Sequence, residues 1–88
     1  AKGGVLMITK AMAAEYGEHG VTVNCISPGQ IPKDTTDPDQ IENFRQMNAF
    51  QRTGIPENLK GTVALLASDA GNWITGQEFR VDGGWSIW

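Results

Sequence analysis

The protein has 88 residues, 7 Lys+Arg against 10 Asp+Glu, a formal net charge of −3 at pH 7, one cysteine and one histidine. The length allows one small domain with a modest core, and the acidic balance argues against a nucleic-acid surface. Cys25 alone excludes an internal disulfide and suits a reducing cytoplasm, while His19 alone leaves no Cys/His cluster with metal-ligand spacing. No apolar run approaches the ~20 residues that cross a bilayer, no basic run offers a hold on a membrane surface, and no signal peptide is expected.

Residues 1 to 18 read as a helix. Val5, Ile8, Met12 and Tyr16 recur at helical spacing, with Leu6 and Ala13 beside them. Ala11, Met12, Ala13, Ala14 and Glu15 are good helix formers. Gly17 and Gly20 end the run, Gly20 in the place of a left-handed cap. No Ser, Thr, Asp or Asn caps the first turn. Gly3 and Gly4 each cost about 1 kcal/mol relative to alanine inside a helix. They make sense where another backbone comes close, or in a frayed end or cloning scar.

Val21 to Ile26 reads as a buried strand. Val21, Val23 and Ile26 are β-branched, and Thr22 and Cys25 leave the other face only weakly polar. That pattern suits a parallel strand covered by helices on both sides. Ligands in such sheets bind beyond the carboxyl ends of the strands, here Ser27-Pro28-Gly29. The same residues also read as a strand and turn with no ligand.

Gln30 to Asp37 read as loop. Asp37 caps a short helix, with Pro38 at its first position and Asp39 at its positive end. Ile41, Phe44 and Met47 form its apolar stripe. Residues 33 to 54 therefore read either as a lid over a site or as a plain surface excursion. Pro56 opens the next helix, with Leu59, Val63, Leu66 and Ala70 on one face, and Ser68 to Asn72 end it. After a turn at Trp73 to Gly76, Glu78 to Asp82 alternate as a half-exposed strand, with Phe79 and Val81 on one face. Trp85 and Trp88 in the tail are expected to cover a core or a partner. The order helix, strand, lid, helix, strand implies an α/β fold with parallel strands. The first strand needs a neighbour on each edge, and the sequence offers only one.

Against that background the whole chain resembles the C-terminal part of the short-chain dehydrogenases/reductases. The resemblance rests on Ala1-Lys2-Gly3-Gly4-Val5, Met12-Ala-Ala-Glu15, Gly20-Val-Thr-Val-Asn24 and Ile26-Ser-Pro-Gly29. Arg52, Pro56-Glu57, Leu66-Ala-Ser-Asp69, Ile74-Thr-Gly76 and Val81-Asp-Gly-Gly84 continue it in order and spacing. It implies one C-terminal portion, residues 1–88, of a Rossmann-like doubly wound parallel sheet, with residues 33–54 as the substrate lid. It also implies that Lys2 is the lysine of a Tyr-x-x-x-Lys pair whose tyrosine falls outside this chain. Residues four apart share a helix face, and an ammonium beside a phenol lowers the phenol's pKa toward the working pH.

By the same resemblance Lys2 also binds the nicotinamide ribose, and Pro28, Gly29 and Ile31 form the loop beside the nicotinamide ring. The family commonly has threonine two residues after the position of Ile31. This chain has Lys33 there, and Thr35 is the expected substitute. Asn24 and Asp82 are expected to be structural and Arg52 to brace the lid. The implied cofactor is NAD or NADP, and the implied substrate a small carbonyl or alcohol. The implied partners are the N-terminal half of the same fold and further copies in a homo-oligomer. The Gly-rich dinucleotide fingerprint and the serine and tyrosine motifs are not in this sequence. The chain alone is therefore expected to be inactive and to self-associate along the open edge of its first strand. The rival expectation is a non-catalytic packing module of the same fold.

Overall fold

The computed structural model describes residues 2 to 87, apart from the side chain of Lys2. In chain order it contains α1 (Lys2–Tyr16), β1 (Cys25–Pro28), α2 (Pro38–Met47), α3 (Lys60–Ala67) and β2 (Glu78–Val81), with single 3-10 turns between and after them. The strands pair in a two-stranded sheet. The Cys25 N–H donates to the Gln77 carbonyl at 3.0 Å, and the Gly29 N–H to the Val81 carbonyl at 2.9 Å. Both partners advance together along the chain, so the strands are parallel. The chain divides into two compact units, Ala1–Ile26 with Gly61–Phe79, and Ser27–Lys60 with Arg80–Trp88.

In the first unit, α1 ends in a 3-10 turn, Gly17–His19, and Gly20 caps it at φ 74°. Only glycine enters that left-handed conformation without steric cost, and this is the cap read from the sequence. The inward face of α1 differs from the expected stripe. Thr9 and Ala13 are the buried positions, at 6% and 7% exposure, whereas Val5, Ile8, Met12 and Tyr16 are exposed. Two features explain the change. Ala13 packs at the Gly76 turn, its methyl 3.5 Å from where a Cβ on Gly76 would stand. The Thr9 hydroxyl is satisfied within the helix by the Val5 carbonyl at 2.8 Å, so it can be buried at little cost.

The expected strand from Val21 to Ile26 begins later, at Cys25. Upstream, side chains add to a backbone bond from the Gly76 N–H to the Val23 carbonyl at 2.7 Å. The Val23 N–H donates to the Thr75 hydroxyl at 3.0 Å. The Asn24 amide donates to the Ile74 carbonyl at 3.1 Å and its oxygen accepts from the Gln77 N–H at 3.1 Å. Asn24 is thus structural, as expected. Strand burial is weaker than expected: Cys25, Ile26 and Ser27 are half-buried and Val21 is exposed. The expected helix from Pro56 starts as a 3-10 turn, Pro56–Leu59, before α3 proper. Leu59, Thr62 and Leu66 are its half-buried positions, while Val63 and Ala70 are exposed.

In the second unit, Asp37 caps α2 as read from the sequence, its carboxylate accepting from the Asp39 N–H at 2.9 Å, with Pro38 in the first turn. Ile41 and Phe44 are half-buried, but Met47 is exposed. The buried residue at that end is Asn48, 3% exposed. Trp85 is partly exposed in the final 3-10 turn, and Trp88 lies outside the described residues. Among the described residues no helix is long and apolar enough to cross a membrane.

Asn24→Leu keeps the branching of the side chain but leaves the Ile74 carbonyl and the Gln77 N–H without their partner. It is expected to destabilise the protein by about 1–2 kcal/mol, read as a lower urea midpoint with an unchanged slope.

Candidate functional site

The carboxyl end of β1 runs into a loop that is held from two sides. The Gly29 N–H is bound to Val81, and the Gln30 carbonyl accepts from the Gly54 N–H at 2.9 Å. A Cβ on Gly29 would stand 2.7 Å from the Asp82 Cα. Glycine is therefore required here by the close approach of the Asp82 backbone. The Ile31 side chain packs against Gly54.

This loop forms one wall of a cavity of about 220 Å³ that lies wholly within the second unit. Phe50, Arg52, Asn58 and Asp82 line it together with Gly29 and Ile31. Of the expected site residues, then, the structure brings Gly29 and Ile31 to one cavity. Pro28 is exposed at the end of β1, and Thr35 is exposed in the following loop and does not line the cavity. Thr36, not Thr35, builds that loop: its hydroxyl accepts from the Lys33 N–H at 2.9 Å. Lys2 lies at the start of α1, and its side chain is outside the described residues.

Asn48 and Asn58 were not singled out by the sequence, although they organise the cavity walls. The Asn48 amide donates to the carbonyls of Phe44 at 3.0 Å and Arg52 at 2.7 Å. The Phe50 N–H reaches the Gly83 carbonyl at 3.0 Å, and Gln51 takes the left-handed conformation at φ 58° to make the turn. Asn58 accepts from the Ile55 N–H at 3.0 Å and from the Arg52 guanidinium at 3.2 Å. Arg52 also donates to the Thr53 carbonyl at 3.1 Å and lies over the Phe50 ring at 5.6 Å. It braces the segment, as expected. The available signal was an asparagine just past a helix end and another three residues after a prospective cap. Gln30 also lines the cavity, but its side-chain oxygen is buried and has no hydrogen-bond partner.

Asp82 closes the turn that follows β2. Its carboxylate accepts from the Gly84 N–H at 3.0 Å. The Ser86 hydroxyl is the largest influence and holds the carboxyl below its ordinary value; burial opposes it, and the Gly84 and Ser86 N–H groups and the Arg80 charge assist it. Among the described residues no group of three or more His, Cys, Asp or Glu could hold a metal ion.

Two outcomes are expected. Gly29→Ala forces its new methyl against the Asp82 backbone, so it should destabilise the protein by about 1–3 kcal/mol, read in urea unfolding. Asp82 binds its proton less readily folded than unfolded, so it stabilises the fold above the unfolded carboxylate value of about 3.9 and loses that contribution as pH falls through the lower folded value. Asp82→Asn should therefore be less stable than the parent at pH 6, and the gap should close below about pH 4.

The family profile described as Enoyl-(Acyl carrier protein) reductase matches residues 1–86. A 3-oxoacyl-[acyl-carrier-protein] reductase of Synechocystis sp. is 46% identical over 85 residues, covering 96% of this chain and 34% of its own. Among solved structures, a short chain dehydrogenase from Leptospira borgpetersenii with bound NAD+ superposes with a TM-score of 0.92 at 37% identity, over 98% of this chain and 34% of that one. A 4-hydroxyisoleucine dehydrogenase complexed with NADH and succinate superposes with a TM-score of 0.89 at 32% identity, over 99% and 36%. The chain thus spans about a third of the length of the relatives it matches. Its helices and parallel strands are a portion of their Rossmann-like α/β fold. The chain belongs to the short-chain dehydrogenase/reductase family.

Proposed function

We propose that this chain is the C-terminal segment of an NAD(P)-dependent oxidoreductase that interconverts a carbonyl and a secondary alcohol. The observation that carries the proposal is the family match over residues 1–86, among relatives solved with NADH and NAD+. When bound, the nicotinamide supplies or accepts the hydride. The chain's own part is to position. Lys2 holds an ammonium beside the tyrosine four residues before it in the family pattern, lowering its pKa for proton transfer.

Pro28, Gly29 and Ile31 seat the nicotinamide, and Thr35 bonds to it. The geometry fits that assignment in two respects. The loop backbone is held at Gly29 and Gln30, and Pro28 and Thr35 remain exposed beside it. Residues 33–54 cover the substrate. The same reading includes a homo-oligomer and a reducing cytoplasm, the latter supported by the free thiol of Cys25.

A second reading, a packing module without catalysis, is favoured by one observation. Val5, Met7, Ile8 and Met12 leave an apolar surface on α1 exposed, and such surface is normally covered.

The chain alone is expected to show no turnover of ketones or secondary alcohols with NADH or NADPH. Mixing it with a segment that supplies the remainder of a relative's fold should restore nicotinamide binding, read by fluorescence, and reductase activity. In that mixture Lys2→Met should abolish most turnover and leave the melting temperature nearly unchanged. Nicotinamide binding absent from every mixture would leave the packing module. Full turnover by the Lys2→Met mixture would remove Lys2 from the chemistry.

A further inference from the structure

We propose that Gly54 is a positioning residue for the loop after β1, setting how close Ile31 stands to the nicotinamide. The proposal rests on the oxidoreductase reading, in which Pro28, Gly29 and Ile31 seat that ring. Gly54 meets the loop at two consecutive residues. Its N–H donates to the Gln30 carbonyl at 2.9 Å. A Cβ built on it would stand 3.1 Å from the Ile31 Cγ1. One residue therefore both holds the loop and limits its approach, and all of these residues belong to the second unit.

The backbone of Gly54 does not itself call for glycine. Gly20, Gly76, Gly83 and Gly84 take positive φ, and Gly54 does not, so an alanine can adopt its φ. What an alanine lacks is space in front of Ile31. At 3.1 Å one partner must give by a few tenths of an ångström. The chain around Gly54 resists giving. Asn58 Oδ1 accepts from the Ile55 N–H at 3.0 Å and from the Arg52 guanidinium at 3.2 Å, and the same Arg52 nitrogen donates to the Thr53 carbonyl at 3.1 Å. These bonds hold the residues on both sides of Gly54.

Ile31 does not turn aside easily either, because a β-branched side chain has little χ1 freedom. The displacement therefore passes into the backbone of the loop. Upstream the loop is anchored by the Gly29 N–H on the Val81 carbonyl at 2.9 Å. The shift accordingly falls on Gln30 and Ile31, the residues that Gly54 touches.

The test is calorimetric titration of the chain mixed with a segment that supplies the remainder of a relative's fold. The ligands are NADH or NADPH, whichever the unmodified mixture binds, and the matching ADP-ribose or 2′-phospho-ADP-ribose, which lacks the nicotinamide. A misplacement of about 1 Å costs on the order of a hundredfold, so a shift of a few tenths should weaken the dinucleotide about tenfold in Gly54→Ala. The ADP-ribose compound should bind unchanged, whereas a fault in folding would weaken both ligands. In the Ile31→Ala background the Cγ1 is gone, and Gly54→Ala should then cost about twofold or less. In the Ile31→Val background a γ carbon stays in place, and the full cost should persist. If Gly54→Ala by itself unfolds the chain, adding Ile31→Ala should restore its circular dichroism. The proposal is overturned if Gly54→Ala binds the dinucleotide normally, if both ligands weaken alike, or if Ile31→Ala brings no relief. No dinucleotide binding by the unmodified mixture would instead remove the oxidoreductase reading, and the proposal with it.

Discussion

The parallel pairing of β1 with β2 is the constraint on which the rest depends. The strands meet so closely at Gly29 and Asp82 that no side chain fits at position 29. That approach fixes the register, because a slip of one residue would set a side chain against the Asp82 backbone. It also fixes where the chain leaves β1, with the Gly29 N–H already bound to Val81. The loop that follows therefore starts from a rigid point and is pinned again at Gln30 by Gly54.

Polar side chains, more than apolar packing, hold the described structure together. Ala13 is the buried apolar residue among those described, and Thr9 and Asn48 are the buried polar ones. Asn24 ties the chain before β1 to Ile74 and Gln77, Asn48 ties the end of α2 to the loop at Arg52, and Asn58 ties that loop to the turn before α3. Each asparagine offers both a donor and an acceptor, so one side chain can satisfy two backbone groups at once. Such hubs specify geometry strongly because each bond lost leaves a partner unsatisfied.

These hubs also account for the candidate site. The cavity is walled by the β1 loop on one side and by the Phe50–Arg52 turn on another, and both are positioned by backbone hydrogen bonds rather than by a deep core. Gln51 accepts a left-handed φ to bring Phe50 and Arg52 to the same cavity. A strained residue of this kind persists only where its surroundings determine it. Membership of the short-chain dehydrogenase/reductase family is shown over residues 1–86, which include this loop and the Phe50–Arg52 turn.

The sequence by itself determined the element order, the Asp37 and Gly20 caps, the strand at Glu78 and the family. The caps and the strand depend on local chemistry: a carboxylate just before a Pro-led helical turn, a glycine after a helical run, alternation along four or five residues. The resemblance to the family also marked Asn24 and Asp82 as structural, in keeping with the backbone bonds that short polar side chains make. Only the tertiary structure decided which face of α1 is buried. Val5, Ile8 and Met12 have the right period, yet they stay exposed while Thr9 and Ala13 are buried, Ala13 beside the Gly76 turn. Only the tertiary structure, too, showed that β1 starts at Cys25 and that Gly29 answers to Asp82. It alone gathered Asn48, Phe50, Arg52, Asn58 and Asp82 around one cavity. Periodicity records which residues share a face; it carries no information on how near the opposing backbone stands, and that distance chooses between a large side chain and none.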